Sequence, residues 1–297
     1  MEGEPNQSSS PALLKCIKKI NSEVLVLAIN TPEEKCTRAF SEHLIRNDIM
    51  KAITICLLSA NPALQYTAVF SVNKFVKWQQ MAIVNANVVP LLVPLLQSDD
   101  DNLCLQSVLV LSEIVDGGVL EHIIVVVKAN AVPHLIKLCT QQNRDVLCTS
   151  IIKALSVIFA AEVPTGREEI IGHGAIQQLK AIVGTASIDN QRAISKFISI
   201  ICEYKQLLDA ADVGLIGKII CILFNGNDTS ILTNSLSALD KLGMREDTNI
   251  CSIIIASGVM KSLENLAKRH NLSPMDHPAA LALSEAAKEQ AAANAQK

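Results

Sequence analysis

The chain has 297 residues, 49% of them hydrophobic but only 3% aromatic, and a formal net charge of −3. That length holds two ordinary domains or one elongated array, and the scarcity of Phe, Tyr and Trp argues against sheets, whereas abundant Leu, Ile, Val and Ala suit helices packed on helices. The charge balance leaves no strongly basic field to recruit nucleic acid, and no apolar run reaches the roughly 18 residues that a membrane span needs.

Residues 1–10, MEGEPNQSSS, are polar, lack the basic and apolar regions of a signal peptide, and are expected to be disordered. Residues 11–46 are expected to form a helical cap or a partial repeat. From 47 to 271 the sequence repeats. Segments beginning at Asn47, Asn87, Asn130, Gly174, Gly214 and Gly258 read NDIMKAITICLL, NVVPLLVPLLQS, NAVPHLIKLCTQ, GAIQQLKAIVGT, GLIGKIICILFN and GVMKSLENLAKR, at spacings of 40, 43, 44, 40 and 44 residues. Two residues after each anchor stand Ile49, Val89, Val132, Ile176, Ile216 and Met260. Five after stand Ala52, Leu92, Leu135, Leu179, Ile219 and Leu263, and eight after stand Ile55, Leu95, Leu138, Ile182, Ile222 and Leu266. Offsets of three make one helical stripe. The anchor is Asn or Gly each time, the residues that tolerate the left-handed backbone between two helices. Pro90 and Pro133 fall in the first helical turn, where a missing N–H does no harm.

A second helix is expected after each anchored one, as at 103–115, 145–160, 190–204 and 230–242, and a shorter apolar helix before each anchor, as at 120–128 and 250–256. Residues 272–297 are a breaker-rich linker and an Ala-rich tail. A period of roughly 40–47 residues is shared by armadillo and HEAT repeats, and three helices per period favour the armadillo kind. The expected fold class is therefore all-α, an armadillo-repeat right-handed superhelix (an α-solenoid) of about six repeats, its groove lined by the last helix of each repeat. A compact helical bundle would not produce the concordant columns.

The residues that carry chemistry form no catalytic constellation. Nine cysteines, an odd number with no C-x-x-C pair, lie mostly in apolar runs and point to a reducing compartment, cytoplasmic and/or nuclear. His43, His122, His134, His173, His270 and His277 show no metal-ligand spacing, so no metal or cofactor is expected. Gly172-His173-Gly174 reads as an inter-helix turn, and Gly214-x-x-Gly217-Lys218 is too short for a phosphate loop. No G-x-S-x-G elbow occurs, and an enzyme is not expected. Trp78 is either a partner hot spot or the cover of an inter-repeat seam. Asp99-Asp100-Asp101 and the basic clusters Lys18-Lys19 and Lys268-Arg269-His270 read as solvated charge.

Three stretches resemble importin-α, the adaptor that carries cargo to importin-β: LQYTAVFSVNKFV at 64–76, VNANVVPLLVPLLQSDDDNLCLQSVLVLSEIV at 84–115 and, most specifically, CSIIIASGVMKSLENLAKRHN at 251–271. The resemblance implies a peptide-binding groove with a Trp and an Asn four positions apart on each groove helix. Here the Trp positions hold Phe70, Leu109, Lys153, Lys196 and Ser237, and the Asn positions hold Lys74, Glu113, Val157, Ile200 and Lys241, with a slip of one residue open in the third and fifth repeats. No Trp–Asn pair survives, and residues 1–46 lack the dense basic arm that binds importin-β. The groove candidates are Phe70, Lys74, Leu109, Glu113, Lys153, Lys196 and Lys241, whose excess of lysine suits acidic or mixed peptides. The expected function is a non-enzymatic, protein-binding adaptor, tied to nuclear transport factors through its last repeats but not reading classical localisation signals. The alternative is a generic scaffold in a cytoskeletal, signalling or degradation complex.

Overall fold

The computed structural model describes residues 49–139, 145–242 and 248–269, with Pro11 and Lys15 as isolated helical positions. The expectations for the remainder of 1–48 and for 272–297 lie outside the described residues. All regular structure among the described residues is helical. The chain divides into two compact units, Met1–His134 and Leu135–Lys297.

In the first unit, α1 is Ile49–Leu57 and α2 is Pro62–Asn85. Asn61 caps α2, its side-chain oxygen accepting from the N–H groups of Ala63 (2.9 Å) and Leu64 (3.4 Å), and Pro62 occupies the first turn. Gln79 breaks the helical backbone of α2 (φ −132°, ψ 32°). The segment before Gln79 is thus the last helix of one repeat and the segment after it the first helix of the next, fused by a kink. Asn87 (φ 56°) then turns the chain into α3, Val89–Leu92, and a 3-10 turn, Pro94–Gln97. Pro94 explains the break, since it has no N–H to donate and its ring crowds the preceding turn. Next come α4, Asp101–Asp116, capped by Asp100, and α5, Leu120–Lys128. Asn130 (φ 61°) leads into α6, Ala131–Leu138, in which the boundary between the units falls.

The second unit continues with α7, Asp145–Ala160; α8, Pro164–Gly172; α9, Ala175–Ile182; and α10, Ile188–Ile201, followed by a 3-10 turn, Cys202–Leu207. Then come α11, Ala210–Leu223; α12, Thr229–Lys241; α13, Thr248–Ala256; and α14, Val259–Arg269. Its core holds Phe159 of α7, whose ring meets Phe197 of α10 edge-on at 6.0 Å and Tyr204 at 5.7 Å. Both phenylalanines are fully buried.

The three-helix period appears where the sequence places it, with two corrections. Asn87, Asn130, Gly174 and Gly258 all adopt the left-handed backbone expected of anchors. Gly214 does not anchor anything: it lies inside α11, a single helix where two were expected. A Cβ at Gly214 would stand 3.6 Å from Ile253 of α13, and one at Gly217 would overlap the Ser257 side chain. Gly217 is thus a packing notch for the turn after α13, whereas a Cβ at Gly214 would only meet Ile253 at ordinary contact distance. Asn47 lies outside the described residues, but the stripe expected after it is displaced. In α1 the buried residues are Ile49, Met50, Ile53, Cys56 and Leu57, while Ile55 is 51% exposed. That pattern shifts the stripe by one residue, to Met50, Ile53 and Cys56.

Candidate binding faces

Four of the last helices start from polar caps, and these caps set a common frame. Asn61, Asp100, Ser187 and Asp228 cap α2, α4, α10 and α12, each accepting from backbone N–H groups of the first turn. Phe70, Leu109, Lys196 and Ser237 all stand nine residues after their caps, and Lys74, Glu113, Ile200 and Lys241 stand thirteen after. Residues four apart share a helix face. Counted from their caps, the residues at the inferred positions on these four helices therefore stand at equivalent places, Ser237 and Lys241 of α12 included. In α7 Lys153 is exposed and Val157 half-buried.

In the first unit this face carries an aromatic and cationic strip. Tyr66 and Phe70 stack at 5.9 Å, and the Lys74 ammonium sits 4.7 Å from the Phe70 centroid. Leu109 and Glu113 on α4 are half-buried. α2 and α4 run in parallel, since the Asn73 amide donates to Gln106 (2.6 Å) and the Gln80 amide donates to the Glu113 carbonyl (2.6 Å) at the same sequence offset. Trp78 precedes the kink, half-buried, with its enclosed indole N–H unpartnered. It lies at the end of the segment that precedes the kink.

In the second unit a polar seam joins α7, α10 and α12. Thr149 donates to Asn190, the Asn234 amide to Ser195 (3.1 Å), and Ser199 to Ser237 (3.3 Å). Lys241 is engaged within the chain: its ammonium donates to the Ser199 hydroxyl (2.9 Å) and carbonyl (3.2 Å) and pairs with Glu203 at 2.5 Å. Arg192 is likewise engaged by Asp228 (2.7 Å) and Asp189 (2.9 Å). The Arg192 guanidinium and the Ile231 N–H hold the Asp228 carboxyl below the usual carboxylate range. Lys153 and Lys196 are exposed and make no ion pair among the described residues.

Other residues singled out by the sequence have structural work. Asp100 is the α4 cap and not merely a solvated charge. Arg269, part of the stretch most like importin-α, donates to the carbonyls of Phe224, Asn225 (2.8 Å) and Gly226 (3.5 Å), closing the end of α11. Arg167 does the same for α7 through Phe159 (2.7 Å) and Ala161 (2.8 Å), with its guanidinium 3.8 Å from the Tyr204 centroid. The sequence reading took Arg269 for solvated charge and did not single out Arg167; Arg167 lies in the helix that follows the end of α7, and Arg269 at the end of the third helix after α11, so no common spacing marks them.

The described cysteines are free, and all but Cys221 are buried. Burial pushes the Cys202 thiol up to about 12. Cys139 is held well above its ordinary value by its hydrogen bond with Cys148 and by burial. Such thiols stay protonated and are poor nucleophiles. Among the described residues no group of three or more His, Cys, Asp or Glu side chains is placed to hold a metal ion. No single helix among them is long and apolar enough to cross a membrane.

With this geometry in view, residues 79–116 match the family model of the armadillo/beta-catenin-like repeat. The match opens at the Gln79 kink and closes at the end of α4, one three-helix repeat. Solved structures agree over much more of the chain. A computationally designed armadillo repeat protein for modular peptide recognition is similar with a TM-score of 0.64 and 18% identity, over 79% of this chain and 98% of that one. A designed armadillo repeat protein in complex with the peptide (KR)4 is similar with a TM-score of 0.61 and 18% identity, over 79% of this chain and 97% of that one. An engineered protein covers 93% of this chain and 70% of its own length, with a TM-score of 0.62 and 18% identity. The fold is all-α and of the armadillo-repeat type.

Proposed function

We propose that this chain is a non-enzymatic adaptor that binds extended segments of protein partners along the exposed third-helix faces within its units. The observation that carries this is the common frame set by the caps. It leaves equivalent positions on successive third helices half-buried or exposed, while the other faces of those helices supply the core. A row of equivalent side chains at a regular helix spacing suits an extended peptide, which presents side chains at its own regular spacing. The designed armadillo protein solved with (KR)4 supports the same use of the fold.

The test is a photo-crosslinking scan against a peptide library displayed on the full chain. Cross-links concentrated at Leu109, Ser237 and neighbouring third-helix positions are expected. Cross-links concentrated instead on the exposed faces of α5 or α9 would sink the assignment. The narrower proposal, descent from importin-α-like adaptors working in the cytoplasm or nucleus, rests on residues 251–271 alone. Since Arg269 serves to close α11, its presence there is also what a general armadillo scaffold needs. Co-purification with an importin, an export receptor or nucleoporins separates the transport adaptor from the scaffold.

A further inference from the structure

We propose that the face formed by α7 and α10 in the second unit binds an extended acidic segment, with the Lys153 and Lys196 ammonium groups taking carboxylates from alternate residues of it. The proposal rests on the reading of the third-helix faces as peptide-binding, and adds the charge of the ligand and the residues that select it.

The cations on α7, α10 and α12 are Lys153, Arg192, Lys196 and Lys241. Arg192 is neutralised by Asp189 and Asp228, and Lys241 by Glu203. Lys153 and Lys196 remain exposed and without an ion pair among the described residues. Within the second unit, the lysine excess read from the sequence therefore rests on these two residues, and Lys241 is withdrawn from it.

The geometry then sets the ligand. α7 and α10 pack together, joined by the Thr149–Asn190 hydrogen bond. Lys153 lies four residues beyond Thr149 and Lys196 six beyond Asn190, along helices that run in parallel. At 1.5 Å per residue the two positions stand about 6 and 9 Å beyond that bond, nearly level. Helices in contact lie roughly 8–10 Å apart. Alternate residues of an extended chain are about 7 Å apart and point the same way. Long, flexible lysine stems close the remaining difference. A lysine ammonium is a point charge that can follow a carboxylate, where an indole would instead sandwich the stem of a basic residue.

The experiment uses the full chain and fluorescein-labelled octapeptides (Glu-Ala)4, (Gln-Ala)4 and (Lys-Ala)4, read by fluorescence polarisation at two salt concentrations. The acidic peptide is expected to bind best, with affinity falling as salt rises. A Lys153→Glu/Lys196→Glu variant is expected to lose at least about tenfold. A control, Lys218→Glu/Lys261→Glu, makes the same change in charge at exposed lysines on other helices and is expected to bind as the parent does. Circular dichroism checks that both variants keep their helicity. Equal loss in the two variants, or none in the first, overturns the proposal. Preference for the neutral or basic peptide overturns the acidic assignment and leaves peptide binding standing. Failure of every peptide to bind overturns both readings together.

Discussion

Asp212 shows how one side chain can set a pH response. It is buried in α11, with the Gln177 amide donating to it at 3.3 Å and no cation beside it among the described residues. Burial first, and then the neighbouring Asp209, raise its carboxyl above the usual 3.8. The folded state therefore holds this proton more tightly than the unfolded chain. The stability this confers is complete below the unfolded value and is lost as pH rises through the folded one. Asp212→Asn, which mimics the neutral form, should melt higher than the parent at pH 7. The two should converge as the solution is acidified through the raised value toward 3.8. Parallel melting curves at every pH would show that burial of the carboxyl carries no cost. The anchors make a second point at this scale. Gly258 has φ 94° and open space where a Cβ would stand, so any cost of substitution is backbone strain. Gly258→Ala should cost about 1–2 kcal/mol in urea unfolding. Gly258→Asn should cost less, because Asn87 and Asn130 occupy the same region. These anchors are legible in the sequence because left-handed backbone restricts residue type. Gly214 imitates them although it lies inside α11, where its backbone is not left-handed.

At the scale of the element, sequence periodicity locates the helices well but not how they join. The stripe through Ile216 and Ile219 keeps its helical phase whether or not the chain breaks before it. Nothing in the pattern therefore separates a two-helix hairpin from the continuous α11. The Gln79 kink is hidden for the same reason, since Gln is neither a helix breaker nor a turn former. The caps are more informative than the stripes. Counted from Asn61, Asp100, Ser187 and Asp228, the groove candidates on α2, α4, α10 and α12 stand at equivalent positions, a frame the sequence reading did not use. The charge state of those candidates is not legible in the same way, because Lys241 meets Glu203 only after α12 packs beside the end of α10. The notch in α11 gives a test of how elements join. A Cβ on Gly217 would overlap Ser257, whose Cβ cannot rotate away and whose carbonyl accepts from Cys221. Gly217→Ala improves helix propensity yet should destabilise the fold by about 1–3 kcal/mol, through displacement of the α13–α14 turn. Stabilisation by the amount expected of propensity alone would show that the turn yields freely.

For the whole molecule, the decisive property is that contacts are made between neighbouring repeats. Within the second unit α10 packs on α7 and on α12, while α14 packs on α11 and α13. Stability in such an array is close to a sum of local terms and nearest-neighbour interfaces, so damage should spread by one interface at a time. Phe197 provides the test, because its ring lies between α10 and α7 against Phe159 and is fully buried. Phe197→Ala removes that contact and leaves a cavity, at an expected cost of about 3–5 kcal/mol. Hydrogen exchange should then accelerate most in α7, α10 and α12 and least in α14. Uniform acceleration throughout the second unit would mean that it unfolds as a single cooperative body. The same locality bears on function. On the proposed reading, each third helix can change the side chains of its exposed face without disturbing the next, so Phe70, Leu109, Lys153, Lys196 and Ser237 can differ while the buried residues keep their aliphatic pattern.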